Sequence, residues 1–328
     1  MSDMQENKES QIEVTGKKII RIQTGARLHF GLLDSVEPFG GVGVMIQSPT
    51  TTVVASESDQ FSCPLEHRER LCEIAAQVAI FAGCDSLPPI RLDVLTNSEP
   101  HCGLGSGTQL SLAASEALLR SLQVDCENEH LALRIAERGK RSAVGIHGYF
   151  HGGMIFESGS HSSESLNPIN QRVSLPSDWC VAVLKPSAGS GQVFGLNEVS
   201  KFSTLAPAAD ALRRSLFDIA NRDLVPAASR GDFVGFSKSL QSYNWNSGRL
   251  FSSIQGGPYN GPEVTSLIAW LNDQGVIGVG QSSWGPGVFA WFETRRDAEK
   301  LVSRLPSGVA LVTLTNAFDR SRLVTNSF

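Results

Sequence analysis

Residues 100–108 read Pro-His-Cys-Gly-Leu-Gly-Ser-Gly-Thr and lead straight into an apolar-faced helical pattern. Glycines let a backbone take positive φ and approach a ligand closely, and the start of a helix offers unpaired amides and a positive dipole end. Such a segment is suited to cradling a phosphate, with Ser106 and Thr108 able either to cap the helix or to donate hydroxyls to phosphate oxygens. Taken by itself, it is equally well explained as a tight turn. A Rossmann reading fails in the continuation, because that unit wants a strand with an acidic end after the helix, whereas Asp125 opens another helical pattern. The Walker A sequence Gly-Lys-Ser/Thr is absent.

Other polar residues stand in glycine-rich surroundings. Arg27, His29 and Asp34 fall around the stretch 31–43, and Lys140 and Arg141 follow a helix stop at Gly139. Arg27, Lys140, Arg141 and Lys185 are candidate anion partners, although the pair at 140 and 141 also reads as ordinary cations complementing a helix dipole. Asp34 suits either a magnesium ion or a backbone turn. His29, His147 and His151 lack any HExxH or Cys/His spacing, so they read as satisfied polar histidines and not as a metal triad. Trp284 and Phe289 read as packing residues.

Three separated segments together resemble the signature motifs of the GHMP kinases. They are Gly25-Ala26-Arg27-Leu28-His29-Phe30-Gly31, residues 100–108, and Gly280-Gln281-Ser282-Ser283-Trp284-Gly285-Pro286-Gly287 with Val288, Phe289 and Ala290 after it. Within that superfamily, residues 26–34, residues 139–153 with Phe150-His151-Gly152-Gly153, and Ser282 to Pro286 look like the β-ribofuranosylaminobenzene phosphate synthases; Gly195, Glu198 and Phe202 also fit.

The resemblance implies an α+β fold of the two-domain GHMP type: a ribosomal protein S5 domain 2-like N-terminal domain over 17–175 and a ferredoxin-like C-terminal domain over 176–328. It implies an enzyme joining phosphoribosyl pyrophosphate to 4-hydroxybenzoate or 4-aminobenzoate with loss of carbon dioxide and pyrophosphate, in methanopterin biosynthesis. The implied catalytic set is Arg27, His29 and Asp34. Phosphate binding would fall to Gly103, Leu104, Gly105, Ser106, Gly107 and Thr108 with Lys140 and Arg141, and substrate binding to Ser282, Ser283 and Gly285. Mg²⁺ is the expected cofactor, its ligands unassigned, and a homodimer is an option. An ATP-dependent small-molecule kinase and a non-catalytic binding protein of the same fold are the alternatives. Against the kinase, many GHMP kinases carry an aspartate to assist the acceptor hydroxyl where this chain has Gly145.

The elements that must position these residues follow from periodicity. Short β-type runs at 18–22 and 51–55 flank the glycine-rich stretch 31–43. Leu71, Ile74, Ala75, Val78, Phe81 and Ala82 recur at helical spacing before Gly83, which predicts a helix over 66–82 with a glycine stop. Ile90, Leu92 and Val94 alternate as in a half-buried strand, and Leu110, Ala114, Ala117, Leu118 and Leu122 give the phosphate-loop helix its apolar face. A helix over 127–138, a glycine-rich then strand-like segment over 145–156 and a surface connection over 158–171 complete the first half. The second half predicts strands at 179–184, near 276 and 288, and at 309–314, with helices over 208–220, 261–272 and 295–305.

The whole chain of 328 residues has 41% hydrophobic and 19% charged residues, which suits a globular α/β or α+β enzyme of two packed domains. A formal charge of −5 without a dense Lys/Arg run argues against nucleic acid as partner. Six cysteines without CxxC pairing suggest a reducing compartment. The polar opening residues lack the apolar centre of a signal peptide and no segment is apolar for long enough to span a bilayer, so a cytoplasmic protein with a frayed start and no membrane partner is expected.

Overall fold

The computed structural model describes residues 18–160, 164–187 and 205–327. The polar opening segment and the family-like Gly195, Glu198 and Phe202 lie outside them.

Two antiparallel sheets carry the chain. The first contains β1 (Ile19–Leu32), β2 (Gly41–Glu57), β3 (Ile90–Thr96), β4 (Met154–Glu157), β5 (Ile169–Val173) and, from the far end of the sequence, β10 (Leu323–Ser327), in the order β10-β1-β2-β4-β5 with β3 also on β2. The second contains β6 (Cys180–Pro186), β7 (Val279–Gln281), β8 (Val288–Phe292) and β9 (Val309–Asn316), in the order β7-β8-β6-β9. With helices after its first and third strands, that order is the ferredoxin-like arrangement expected of this half. The 17 residues of β2 serve two partners in succession, β4 along Gly41 to Val44 and β3 along Thr52 to Glu57.

The helices that matter for the site are α1 (Arg68–Ala82), α2 (Ser106–Leu122), α3 (Val144–His151), α4 (Asp210–Asp218), α5 (Phe233–Arg249), α6 (Gly261–Asp273) and α7 (Arg295–Val302). α1 ends as its sequence predicts: Gly83 sits at φ 68°, and its N–H bonds back to Ala79 and Ile80. One apolar cluster spans both sheets, with Leu28, Phe30, Val42 and Val44 meeting Val181, Val183, Phe289 and Trp291. The Phe30 and Phe289 rings pack at 5.3 Å between them. Phe289 is therefore core, as its apolar setting suggests.

The helix expected over 127–138 is present but shorter, an α-helical turn, Asn128–His130, that runs directly into a π-helical stretch, Leu131–Ile135. Its wider winding is visible in the bond from the Ala136 amide to the Leu131 carbonyl, and Glu137 then leaves the helix at φ 51°. The glycine-rich segment at 145 forms α3 before the expected strand begins, because Gly148 seats the helix against Met45, where a Cβ would collide. α5 was not legible at all. Its buried face includes Ser237, Asn244 and Ser247, which interrupt the apolar stripe. No helix among the described residues is long and apolar enough to cross a membrane.

Candidate functional site

All three motifs converge on one cleft of about 460 Å³, lined by Arg27 and His29 from β1, residues 103–108 before and at the start of α2, Arg138 to Ser142, and Ser283 to Gly285. This volume lies within the usual range for small-molecule sites, roughly 300–1,000 Å³.

The loop is built as a cradle. Gly105 precedes α2 in the left-handed conformation, φ 70° and ψ 19°, and its carbonyl accepts from the Thr108 and Gln109 amides. Ser106 is therefore the first residue of the helix, and the cap position belongs to Gly105. Gly103 also has positive φ, and a Cβ there would collide with the Ser282 carbonyl. β1 holds the loop from the other side: the Arg27 amide donates to the Leu104 carbonyl at 2.9 Å and its guanidinium reaches the Gly103 carbonyl at 3.4 Å.

Charge in the cleft is lopsided. Among the described residues, Arg27, Arg70, Arg138, Lys140 and Arg141 line it, against the single carboxylate of Glu137. Arg138 donates to Ser111 Oγ at 3.1 Å, but its Nε is buried with no hydrogen-bond partner among the described residues. Burial, and then the neighbouring Arg70, push this guanidinium below its ordinary value. Cations crowded together with little counter-charge form a site that a polyanion relieves. Trp284 and Phe251 stand 5.0 Å apart at an interplanar angle of 59°, both on the cleft wall. Trp284 was read from sequence as a packing residue; it also gives the cleft an aromatic wall.

His29 is 5% exposed and lines the cleft. Its Nε2 lies 3.0 Å from Ser142 Oγ. Burial first, then Arg27 and Arg141, hold its imidazole well below the ordinary histidine value, so the ring is neutral at pH 7. Behind Ser142 lies Glu157, fully buried, accepting from the Ala143 amide at 2.9 and 3.0 Å and from Asn167 at 3.3 Å. Burial lifts its carboxyl to about 8, against smaller opposing effects of the Ser142, Asn167 and Ala143 hydrogen bonds and of Arg27.

Not every candidate residue enters the cleft. Asp34 is buried away from its lining, where Oδ1 accepts from the Ser35, Val36 and Ala208 amides and Oδ2 from Arg213. That is the turn-holding arrangement. Ser282 is fully buried and clamps backbone, while Ser283 and Gly285 line the cleft. Lys185 pairs with Glu99 at 2.6 Å, and His147 bonds the Asn167 carbonyl at 2.7 Å; neither lines the cleft.

Sequence reasoning missed Arg70, Arg138, Ser142, Glu157 and Asn244. Asn244 on α5 joins the first and third motifs, donating to the Phe30 carbonyl at 2.6 Å and the Gln281 carbonyl at 2.8 Å while accepting from the Gln281 amide.

Comparison with known proteins agrees with this geometry. Residues 67–154 match the GHMP kinases N-terminal domain, and residues 224–310 match the GHMP kinases C-terminal family, together more than half of the chain. The sequence is 28% identical over 293 residues to a beta-ribofuranosylphenol 5'-phosphate synthase of Archaeoglobus fulgidus, covering 83% of this chain and 87% of that one. It is also 28% identical over 279 residues to a homoserine kinase of Pyrococcus furiosus, covering 80% and 86%. Among solved structures it is similar to mevalonate diphosphate decarboxylase of Staphylococcus aureus, with a TM-score of 0.64 and 14% identity over 94% of this chain and 98% of that one.

Proposed function

The chain belongs to the GHMP kinase family, and from that premise we propose that it is a decarboxylating phosphoribosyltransferase that joins phosphoribosyl pyrophosphate to a para-substituted benzoate, 4-hydroxybenzoate or 4-aminobenzoate. One observation carries the reading: a single cleft is lined both by the cations around the start of α2 and by the aromatic pair Trp284 and Phe251.

In the reaction, the bond between ribose C1 and the pyrophosphate oxygen breaks and its electron pair leaves with pyrophosphate. The ring carbon bearing the carboxylate bonds to C1, and loss of carbon dioxide returns an electron pair to the ring. The departing pyrophosphate gathers negative charge, which Arg27, Arg70, Arg138, Lys140, Arg141 and the amides at residues 103–107 would stabilise. Each charge-assisted hydrogen bond of this kind is worth about 1.5–3 kcal/mol. Trp284 and Phe251 offer flat apolar surface to the benzoate ring, since stacked or tilted aromatic pairs are favoured by about 0.5–1.5 kcal/mol beyond burial.

The described residues contain no cluster of three or more His, Cys, Asp or Glu groups able to hold a metal, and Glu137 is the only carboxylate among them that lines the cleft. Glu137 and the Ser106 and Thr108 hydroxyls, which line the cleft, would help hold a Mg²⁺ ion that accompanies the pyrophosphate, and the ion would supply charge neutralisation on the leaving group.

The test is incubation with Mg²⁺, phosphoribosyl pyrophosphate and each carboxyl-labelled benzoate. Release of labelled carbon dioxide and pyrophosphate with one of the acids is expected. A kinase is the second reading, favoured by the homoserine kinase relative. ATP consumption with an alcohol acceptor, and no carbon dioxide from either acid, would establish it.

A further inference from the structure

After α5 ends at Arg249 the chain makes one more helical turn, Ser252–Gln255, and reverses through Gly256 and Gly257, both at positive φ. Pro258 returns so close to α5 that a Cβ at Gly248 would collide with its carbonyl. Gln255 is caught between the two arms of this reversal. Its side-chain amide donates to the Gly248 carbonyl at 3.1 Å and to the Pro258 carbonyl at 3.0 Å. Carbonyls can only accept, so the pair fixes which end of the amide is the nitrogen and uses both of its N–H groups. Oε1 is left as an oriented acceptor, and it takes no hydrogen bond from the described residues. Gln255 is 8% exposed and lines the cleft.

The acceptor stands with the aromatic pair. The Gln255 backbone amide donates to the Phe251 carbonyl at 3.0 Å, so the two residues are one helical turn apart. Asn260, just past the reversal, donates through Nδ2 to the Trp284 carbonyl at 2.7 Å and through its amide to Gln281 Oε1 at 2.7 Å. Phe251, Gln255 and Trp284 thus share one hydrogen-bonded scaffold on the cleft wall.

We propose that Gln255 determines specificity for the ring acid by accepting a hydrogen bond from its para substituent. The assignment rests on the transferase reading above. A carbonyl oxygen without a partner repels carboxylate and phosphate oxygens and favours an N–H or O–H. In that reading the substrates carry such donors at the para hydroxyl or amino group and at the ribose hydroxyls. The flat apolar faces of Phe251 and Trp284 beside Gln255 favour the ring over the sugar.

Both 4-hydroxybenzoate and 4-aminobenzoate satisfy the acceptor, so Gln255 selects their class against acids with no donor at that position. An analogue without the donor buries Oε1 unpaired, which is the strongest form of rejection a neutral polar group offers. The same bond assists the reaction. An O–H or N–H drawn toward an acceptor leaves more electron density in the ring, and part of it falls on the opposite carbon, which bears the carboxylate and bonds to ribose C1. No proton leaves the substituent and no covalent bond to Gln255 forms.

The test is calorimetry of the native protein with Mg²⁺ and pyrophosphate present, using 4-hydroxybenzoate, 4-aminobenzoate and 4-fluorobenzoate as probes. Fluorine is close to a hydroxyl in size and has no hydrogen to give. The first two acids should bind about 10-fold more tightly than the third, and in Gln255→Met, shown folded by a thermal melt, that ratio should fall to about 2-fold or less. A loop merely loosened by losing its two carbonyl bonds would weaken all three acids alike and keep the ratio. That result overturns the assignment, as does a native ratio near one. A kept ratio with weaker binding of phosphoribosyl pyrophosphate also overturns it, by moving the contact to a ribose hydroxyl. Should Gln255→Met fail to fold, the side-chain ¹⁵N signal of Gln255 in the native protein, assigned through its own backbone, decides. It should shift with the hydroxy and amino acids and stay in place with the fluoro acid; equal shifts, or none, overturn the assignment. A preference that depends on Gln255 without carbon dioxide release from either benzoate keeps the assignment and removes the transferase reading, and release without a preference does the reverse. A protein that binds none of the three acids overturns the assignment, and carbon dioxide release then decides the reading separately.

Discussion

The Ser282 hydroxyl donates to the Gly103 carbonyl at 2.6 Å and accepts from the His29 amide at 3.0 Å, so one side chain joins residues from all three motifs. The neighbouring Ser283 amide adds a bond to the His29 carbonyl at 3.2 Å. The glycine-rich loop before α2 is thus held by contacts with β1 and with the segment between β7 and β8.

Removing that hydroxyl in Ser282→Ala strands the buried His29 amide and leaves the part-buried Gly103 carbonyl with its long bond from Arg27. We expect a loss of about 1–3 kcal/mol, read by urea unfolding, together with weaker pyrophosphate binding as the loop loosens. Unchanged stability and affinity would show that the clamp is incidental.

Gly105→Val replaces a left-handed cap residue whose added Cβ would stand 3.3 Å from Arg27 Cβ and Nε. Loss of even two amide contacts to a phosphate should weaken phosphoribosyl pyrophosphate by roughly two orders of magnitude, with the melting transition retained. Calorimetry giving native affinity in the folded variant contradicts a phosphate role for the loop.

Lys140→Ala and Arg70→Ala remove exposed cations from the cleft rim without disturbing the core. Each should weaken pyrophosphate by about 10-fold at low salt and by less at high salt, because exposed charges are screened. Titration of the anion at two ionic strengths reads both effects.

Glu157 also imposes a pH dependence on stability. The unfolded chain releases its proton near 4.5 and the folded protein near 8, so the folded state binds more protons between those values. Its contribution is complete below the lower value and is lost as pH rises through the upper one. Melting temperature should therefore fall from pH 5 to pH 9, and the fall should be shallower in Glu157→Gln. Parallel slopes in the two proteins would place the proton elsewhere.

Arg322 closes the chain by reaching Glu116 on α2 at 2.6 and 2.8 Å, beside the Tyr149 hydroxyl at 2.6 Å. Burial raises the Glu116 carboxyl, but the bonds from Arg322, Tyr149 and Arg120 outweigh it and hold the group below its ordinary value. Arg322→Ala should cost about 3 kcal/mol, near the lower end for a broken buried pair because Tyr149 and Arg120 remain. A melt within a degree of native would refute it.

The parts of this fold that declared themselves in the sequence are those with an uninterrupted local pattern. α1, β3 and α2 have regular apolar spacing, and the loop before α2 has its glycines where positive φ occurs, at Gly103 and Gly105. What stayed hidden depends on distant contacts. β10 has no apolar alternation, its residues being exposed or half-buried, and it exists because β1 offers an open edge. The cationic cluster depends on Glu137 breaking the helix at positive φ, which turns Arg138 toward the cleft. Glu157 sits in a strand pattern where only the fold shows that both of its faces are buried. Asp34 and Ser282 stand in the motifs but off the cleft lining: tertiary structure commits Asp34 to backbone amides and Arg213, and Ser282 to the Gly103 carbonyl and the His29 amide.

Because Ile19 pairs with Ser327 across an antiparallel ladder, a tension applied at those two residues falls on a single rung at a time. β10 would peel from β1 as a zip, five residue pairs in sequence from Ser327 to Leu323, and the load would then arrive at Arg322 and its grip on Glu116. Single-molecule pulling should record a low-force opening followed by one sharper rupture, and in Arg322→Ala the second event should merge into the first.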